Sequence, residues 1–243
     1  MIYAIGDIHG QIEALDAALD LIAADGGPDA PIIFLGDYVD RGPASREVVG
    51  RLYTGYTSGR PWTILRGNHD GMFVRFVTEG NAHDRRILSG NGWLHPSLGG
   101  VATLASYGVE RADQRPMDQV VQEAQTIVPE EHLSFLRERP LWHETDDLLF
   151  VHAGIRPGIP LEQQEEDDLI WIRDGFLDHP APYPKLVVHG HTALDQPEHL
   201  GVRIDLDGGA GYGRPLVPAV FEGTDCWLLT PGGRVPLRPP GEA

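Results

Sequence analysis

The sequence predicts an α/β fold in which helices cover a β-sheet and polar residues collect at one edge of that sheet. Three observations support this prediction. Apolar runs of about four residues recur along the chain, helical patterns separate the first three runs, and five runs end in polar, glycine-containing clusters. Buried strands bounded by turn signals have this appearance, and alternation of strands with helices favours a sheet covered by helices.

The first three predicted strands cover residues 2–5, 32–35 and 62–65, and helical patterns connect them. Apolar residues recur at helical spacing over 12–22, where a Gly-Gly-Pro sequence then ends the helix, and again over 45–53. In open sheets of this β-α-β-α-β order, ligands bind at the carboxyl ends of the strands. The polar clusters follow those ends, so we expect them to form a site.

The remaining chain extends this pattern and interrupts it once. Residues from about 80 to 140 are interpreted as a helical insertion beside the active site, with helical patterns at 120–127 and 129–137. Later predicted strands cover 148–151, 186–188, 202–206, 216–221 and 226–229. We therefore expect one domain over 1–230, followed by a mobile tail over 231–243 that is rich in Pro and Gly.

Composition limits the classes of partner. The formal net charge of −17, from 36 acidic and 19 basic residues, disfavours nucleic acid and anionic membranes. No apolar run approaches the roughly 20 residues of a membrane span, and no signal peptide precedes the first predicted strand. The single cysteine, Cys226, fits a reducing compartment. These features predict a cytoplasmic protein and leave its oligomeric state open.

The polar clusters contain residues that bind metal ions. Asp7 and His9 follow the first strand two positions apart, so both side chains can reach one ion from a tight turn. Asp37 ends the second strand, and its two oxygens could bridge two ions. The later clusters add one neutral oxygen ligand and two imidazoles, from Asn68, His152 and His191. This mixed nitrogen and oxygen set suits Mn²⁺, Fe or Zn²⁺.

Three clusters resemble the signature motifs of the phosphoprotein phosphatase (PPP) family, in its bacterial serine/threonine protein phosphatase branch. They read Gly-Asp-Ile-His-Gly at 6–10, Gly-Asp-Tyr-Val-Asp-Arg-Gly at 36–42 and Arg-Gly-Asn-His-Asp at 66–70. The sequences at 152–154 and 190–192 resemble its later histidine motifs. The family belongs to the calcineurin-like metallophosphoesterases. The resemblance implies a sandwich of central mixed β-sheets flanked by helices, with a dimetal site at the carboxyl ends of strands.

The resemblance also implies a role for each motif residue. It implies two divalent ions, with Mn²⁺ as first choice. The first ion would be bound by Asp7, His9 and Asp37. The second would be bound by Asp37, Asn68, His152 and His191. His69 would be the general acid and Asp40 the carboxylate that orients it, while Arg41, Arg173 and Asn68 would contact the substrate.

General chemistry supports these roles. Two metal ions can activate a water as nucleophile and offset the charge of a phosphate. Arginine offers phosphate a bidentate fork, and a histidine can protonate the leaving oxygen. The late segment departs from the family pattern, because Gly208 replaces a threonine and the sequence Arg-Pro at 214–215 alters a turn. In relatives this loop borders the active site, so we expect Tyr212 to face the substrate.

These residues leave several functions open. The leading hypothesis is a serine/threonine protein phosphatase that acts on a phosphorylated protein or a small phosphate ester. The alternative is a symmetrical dinucleoside tetraphosphatase, which shares the first motifs. The complete Val-Asp-Arg-Gly at 39–42 favours the phosphatase, because tetraphosphatase relatives often lack that aspartate. Retention of every expected ligand and of His69 opposes a third hypothesis, a non-catalytic metal-binding scaffold. The charge of −17 disfavours a nucleic-acid phosphodiesterase.

Overall fold

A computed structural model describes residues 1–180 and 182–241. Glu242 and Ala243, the end of the predicted mobile tail, lie outside the described residues. The strands are β1 (Ile2–Ile5), β2 (Ile32–Phe34), β3 (Trp62–Ile64), β4 (Trp142–Glu144), β5 (Leu148–Val151), β6 (Leu186–His189), β7 (Glu198–His199), β8 (Arg203–Asp205), β9 (Ala219–Glu222), β10 (Asp225–Thr230) and β11 (Gly233–Pro236). The α-helices are α1 (Ile12–Gly26), α2 (Ser45–Thr57), α3 (Asn68–Glu79), α4 (Gly100–Tyr107), α5 (Met117–Ile127), α6 (Glu130–Arg137) and α7 (Glu166–Trp171).

The strands form two mixed sheets. One has six strands in the order β11-β10-β9-β1-β2-β3, and the other has five in the order β4-β5-β6-β8-β7. Three consecutive strands of each sheet, β1-β2-β3 and β5-β6-β8, are parallel. Parallel neighbours end at the same edge of a sheet, so the residues that follow these strands are brought together.

The two sheets pack face to face, and helices cover their outer faces. Ala4 and Ile33 from the first sheet join Phe150 and Ile204 from the second in a buried cluster between the sheets. Their strand neighbours point the other way, because side chains alternate along a strand. Tyr3 accordingly packs in the cluster beneath the helices that precede β4. This arrangement confirms the predicted sandwich of mixed sheets flanked by helices.

Several elements lie where the sequence patterns predicted none. Helix α3 begins within the third polar cluster, because Asp70 Oδ2 accepts a hydrogen bond of 2.9 Å from Gly67 N at the start of the helix. The short strands β4 and β7 form the edges of the second sheet. Strand β11 lies in the segment for which we expected a mobile tail, and it pairs with β10 from Trp227 to Thr230.

The segment interpreted as a helical insertion contains α4, α5 and α6, while residues 81–99 connect α3 to α4 without an α-helix. Across residues 1–180 and 182–241, no helix combines the length and the apolar character needed to cross a bilayer.

Candidate functional site

The polar clusters converge where the parallel strands of both sheets end. Asp7 and His9 follow β1, Asp37 follows β2, and the loops after β5 and β6 contribute one histidine each. The first turn of α3 adds Asn68 and His69. All these side chains are buried, including those of His152 and His191. The structure therefore assembles one site from residues that are up to 184 positions apart.

A first group of ligand atoms surrounds His9. Its Nε2 lies 3.9 Å from Asp7 Oδ2 and 3.7 Å from Asp37 Oδ2. Its Nδ1 donates a hydrogen bond of 2.7 Å to the carbonyl oxygen of Val39, which can only accept. The lone pair of the neutral ring is therefore on Nε2, which accepts from the Arg41 guanidinium. A backbone carbonyl that fixes the tautomer in this way is typical of metal-binding histidines.

A second group surrounds Asn68. Its Oδ1 lies 2.8 Å from His152 Nε2 and 2.9 Å from His191 Nδ1. His152 donates from Nδ1 to the carbonyl oxygen of Leu35 at 2.9 Å, so its Nε2 also carries a lone pair. Asp37 belongs to both groups, because its Oδ1 lies 3.5 Å from His152 Nε2 while its Oδ2 faces His9.

The chemistry of these donors fits divalent cations. Burial and the neighbouring Asp207 carboxylate raise the pKa of Asp7 well above its usual value, and burial and Asp70 do the same for Asp37. Burial lowers the pKa of His152 to about 3, so this imidazole stays neutral. His191 Nε2 is buried without a hydrogen-bond partner. Crowded buried carboxylates beside neutral imidazoles are stabilised when cations bind them.

Two glycines allow the carboxylates to lie against the backbone. A Cβ atom at Gly67 would overlap Asp37 Oδ1 and the Asp37 backbone nitrogen, and one at Gly190 would overlap Asp7 Oδ1. Both glycines belong to the motifs described above. Glycine is needed at these two positions because any side chain would occupy the space of the Asp37 or Asp7 carboxylate.

The backbone is strained at the site. Among the described residues, six non-glycine residues have positive φ, and Arg111 is the one outside this region. The others are His9 (49°), Asp37 (55°), Asp40 (74°), Arg41 (66°) and His191 (66°). Left-handed backbone at a non-glycine residue costs of order 1 kcal/mol or more, and such residues concentrate at functional sites.

A histidine and a carboxylate form a buried pair beside the two groups. His69 Nδ1 lies 2.5 Å from Asp40 Oδ2, and His69 Nε2 lies 3.3 Å from Arg41 Nη2. Burial raises the pKa of Asp40 to about 7, while hydrogen bonds from Thr103 and Trp93 act in the opposite direction. Burial lowers the pKa of His69 well below its usual value. This geometry leaves His69 Nε2 as the ring nitrogen that faces the site.

The predicted substrate-binding residues lie around the same site. Arg173 donates from Nη2 to the His191 carbonyl oxygen at 3.0 Å. Burial lowers the pKa of Arg173, and the nearby Asp37 and Asp7 carboxylates partly offset this effect. The Arg41 guanidinium lies over the Tyr212 ring, 4.8 Å from its centre. The Tyr212 side chain is 60% exposed, so its ring is accessible from solvent beside the arginine.

Sequence analysis missed several residues that support the site. Asp70 accepts hydrogen bonds from the backbone nitrogens of Asp37, Tyr38 and Gly67 at 3.0, 2.9 and 2.9 Å, which joins the second motif to the third. Asp207 is buried and contributes to the raised pKa of Asp7. Asp207 follows β8, so its position after a strand was a sequence signal that could have identified it as a site residue.

Comparisons with known proteins agree with this geometry. The family model described as calcineurin-like phosphoesterase matches residues 1–213. A symmetrical bis(5'-nucleosyl)-tetraphosphatase of Acidovorax sp. is 33% identical over 162 residues, a match that covers 64% of this chain and 44% of that relative's length. The chain thus spans less than half of the length of this relative.

One further relative and one solved structure of similar fold align over most of the chain. An asymmetrical bis(5'-nucleosyl)-tetraphosphatase (PrpE) of Bacillus cereus is 23% identical over 236 residues, which cover 87% of each chain. The solved structure of a cold-active protein-tyrosine phosphatase of Shewanella sp. has a TM-score of 0.66 and 18% identity, over 98% of this chain and 80% of that one. Two buried groups of side chains could each hold a metal ion, His9 with Asp37 and His69, and Asp37 with His152 and His191. The family match over residues 1–213 shows that the chain belongs to the calcineurin-like phosphoesterase family.

Proposed function

We propose that this chain is a dimetal phosphohydrolase that cleaves the phosphoanhydride bonds of dinucleoside tetraphosphates. This was the alternative in the sequence analysis, where a serine/threonine protein phosphatase was the leading hypothesis. Two relatives named as tetraphosphatases now favour this substrate class, a symmetrical one at 33% identity over part of the chain and an asymmetrical one over 87% of it.

The observation that supports this substrate class is the pair formed by Arg41 and Tyr212. An exposed aromatic ring lies against a guanidinium that also reaches the His69 and His9 side chains. A dinucleoside polyphosphate contains both chemical groups that this pair would recognise. Its base can stack on the ring, and its phosphates can accept from the arginine.

We assign the roles within the site as follows. Asp7, His9 and Asp37 would bind one ion, and Asp37, Asn68, His152 and His191 the other. Two divalent ions, for which we propose Mn²⁺, would supply activation of the attacking water and charge neutralisation of the phosphate. Arg41 and Arg173 would hold phosphate oxygens, together with Asn68. In its imidazolium form, His69 would transfer the Nε2 proton to the leaving oxygen and become neutral, while Asp40 holds its Nδ1.

The His69–Asp40 pair favours a second candidate function, hydrolysis of phosphoserine or phosphothreonine esters. An alkoxide is a much more basic leaving group than a nucleotide phosphate, so it depends more strongly on a proton donor. A buried pair at 2.5 Å provides that donor. The same two-metal site would act in either reaction.

A direct comparison of substrates tests the proposal. Turnover of diadenosine tetraphosphate would be measured in Mn²⁺ beside peptides that contain phosphoserine, phosphothreonine or phosphotyrosine, each with a chelator control. We expect a higher kcat/KM for the tetraphosphate, and analysis of its products would distinguish symmetrical from asymmetrical cleavage. Faster hydrolysis of a phosphopeptide would instead establish the second candidate. No turnover with two ions bound would support the scaffold hypothesis.

A further inference from the structure

Two residues of the helical insertion surround the Asp40 carboxylate. Thr103 lies in α4, and Trp93 lies in the segment that precedes this helix. They are 63 and 53 positions from Asp40 in the sequence, and both side chains are buried. Neither residue belongs to a signature motif, and the sequence analysis did not select either of them.

Their hydrogen bonds fix Asp40 from two sides. The Thr103 hydroxyl donates to Asp40 Oδ1 at 2.7 Å, and Trp93 Nε1 donates to Asp40 Oδ2 at 2.8 Å. Asp40 Oδ2 also accepts from His69 Nδ1, so each carboxylate oxygen has a buried donor and rotation of the group would break all three bonds. The carboxylate is therefore held in one orientation relative to the imidazole.

Thr103 also holds the backbone of Asp40. Its hydroxyl oxygen accepts from Asp40 N at 2.7 Å, and Ser45 Oγ lies 3.2 Å from the same nitrogen. Asp40 has a φ of 74°, which an aspartate rarely adopts without support from its surroundings. One hydroxyl thus stabilises both the strained backbone of Asp40 and the direction of its side chain.

Helix α3 holds Trp93 in place. The indole ring packs 5.9 Å from the ring of Phe73 and 4.8 Å from that of Phe76, measured between centres. These two residues lie four and seven positions after His69, on the same face of α3. At Gly100, a Cβ atom would meet the Trp93 ring at 2.5 Å, so the start of α4 also depends on this position. Helix α3 therefore carries His69 and also positions Trp93, which donates a hydrogen bond to Asp40.

We propose that Trp93 and Thr103 are positioning residues for proton donation by His69, acting through the orientation of Asp40. With Asp40 fixed, His69 Nδ1 stays engaged and Nε2 stays directed at the leaving oxygen. The inference rests on the role proposed for His69 but not on the identity of the substrate. It predicts that the insertion is part of the catalytic apparatus and not merely a wall of the active site.

The test measures how strongly turnover depends on the leaving group. Thr103→Val removes the hydroxyl at nearly constant volume, Thr103→Ser retains it, and Trp93→Phe removes the N–H but keeps an aromatic ring. Each variant would be assayed in Mn²⁺ with p-nitrophenyl phosphate, whose leaving group hardly needs a proton, and with phenyl phosphate, whose leaving group does. Thr126→Val and Trp227→Phe are controls, since Thr126 is exposed on α5 and Trp227 lies on β10.

We expect Thr103→Val and Trp93→Phe to lower kcat for phenyl phosphate by about tenfold to a hundredfold, with a clearly smaller loss for p-nitrophenyl phosphate. KM and the number of bound Mn²⁺ ions should be unchanged, and Thr103→Ser should retain most activity. Equal losses on both substrates, or no loss, would overturn the inference. If Thr103→Val does not fold, as judged by its melting temperature, Trp93→Phe decides the question.

His69→Asn separates failure of this inference from failure of the proposed function. It should abolish most turnover of phenyl phosphate while Mn²⁺ stays bound, and it sets the largest leaving-group effect that is attainable. If His69→Asn shows no such effect, the proposed role of His69 is wrong. If it does and the Thr103 and Trp93 variants do not, only the positioning role is wrong.

Discussion

Asp37 connects the two ligand groups because its carboxylate oxygens face different histidines, Oδ2 towards His9 and Oδ1 towards His152. It also accepts a hydrogen bond of 2.9 Å from the backbone nitrogen of His69 through Oδ1. One side chain thus links both candidate metal sites to the residue proposed as the acid. Each Asp37 oxygen has its own partners because a buried carboxylate oxygen is costly to leave without a hydrogen bond or a cation.

Tyr212 provides a residue-scale test of the proposed substrate class. We expect Tyr212→Ala to raise KM for diadenosine tetraphosphate by about tenfold, because stacking of a base on an aromatic ring contributes about 1–3 kcal/mol. KM for p-nitrophenyl phosphate, which has no base, should change by much less. Steady-state kinetics on both substrates would measure this difference.

Tyr212→Phe is the matched control, because it keeps the ring over the Arg41 guanidinium and should behave like the unmodified chain. An equal rise in KM for both substrates after Tyr212→Ala would contradict the stacking role. It would show instead that the ring acts by supporting Arg41.

Among the secondary-structure elements, α3 contributes most to the site. Its first turn carries Asn68 and His69, Asp70 binds its first residues to the loop after β2, and Phe73 and Phe76 hold the indole of Trp93. One proposed metal ligand, Asn68, and the proposed acid, His69, therefore lie on the same helix. The close approach of this helix to the β2 loop occurs at Gly67.

Gly67→Ala tests that close approach. The new Cβ would overlap Asp37 Oδ1 and the Asp37 backbone, although Gly67 itself has a φ of −96°, which alanine can adopt. We expect a loss of about 1–3 kcal/mol in the free energy of unfolding from this overpacking. Because Asp37 must move, Mn²⁺ affinity should fall by about tenfold or more. Denaturant titration and calorimetric titration with Mn²⁺ would measure the two effects.

Gly50→Ala is the matched control for the same chemical change. Gly50 lies within α2, and the nearest heavy atoms that its Cβ would meet are at 3.8 and 4.0 Å, on the His132 ring. Alanine favours a helix over glycine by about 1 kcal/mol, so this variant should be as stable as the unmodified chain or more stable. Unchanged Mn²⁺ affinity in Gly67→Ala would contradict the steric argument.

At the scale of the whole molecule, several of the chain's acidic residues are buried close together where the candidate ions would bind. The chain has a formal net charge of −17, and the buried Asp7, Asp37, Asp205 and Asp207 all have raised pKa values, for each of which burial is the main cause. Cations bound at the site would relieve the repulsion among these carboxylates. Metal binding and folding should therefore be coupled.

That coupling predicts how Mn²⁺ binding depends on pH. Carboxylates with raised pKa values keep their protons above pH 4 in the folded, metal-free chain, and the bound ion must displace them. The ligand histidines His9, His152 and His191 have lowered pKa values, so they are already neutral in this range. Mn²⁺ affinity should therefore increase as pH rises from about 4 towards the raised pKa values of Asp7 and Asp37, by about tenfold per pH unit for each proton displaced.

Calorimetric titration with Mn²⁺ at several pH values, in buffers of different ionisation enthalpy, would count the released protons. Without metal, each raised carboxylate pKa contributes stability that is present at pH below about 4 and is lost as pH rises through the raised value. The increase in melting temperature on adding Mn²⁺ should therefore be larger at pH 8 than at pH 5. An increase that is the same at both pH values would contradict this coupling.

The sequence by itself determined the parallel strands of both sheets, the helices α1, α2, α5 and α6, and the residues that meet at the site. These features are encoded locally, because an apolar run followed by glycine and a polar residue specifies both a buried strand and the ligand after it. The family motifs at 6–10, 36–42 and 66–70 extended this prediction to a fold of mixed sheets, which the structure has, and to a dimetal centre, for which it has two candidate sites.

Only the tertiary structure decided which residues support the site. The contacts of Thr103 and Trp93 with Asp40 join segments 63 and 53 residues apart, and no short pattern in either segment specifies them. The sequence analysis did not predict helix α3, because its first turn coincides with the third polar cluster. The hydrogen bond from Gly67 N to Asp70 that caps this helix became visible only in the structure. Such contacts depend on how complete elements pack, because a buried polar group is stable only where packing supplies its partner.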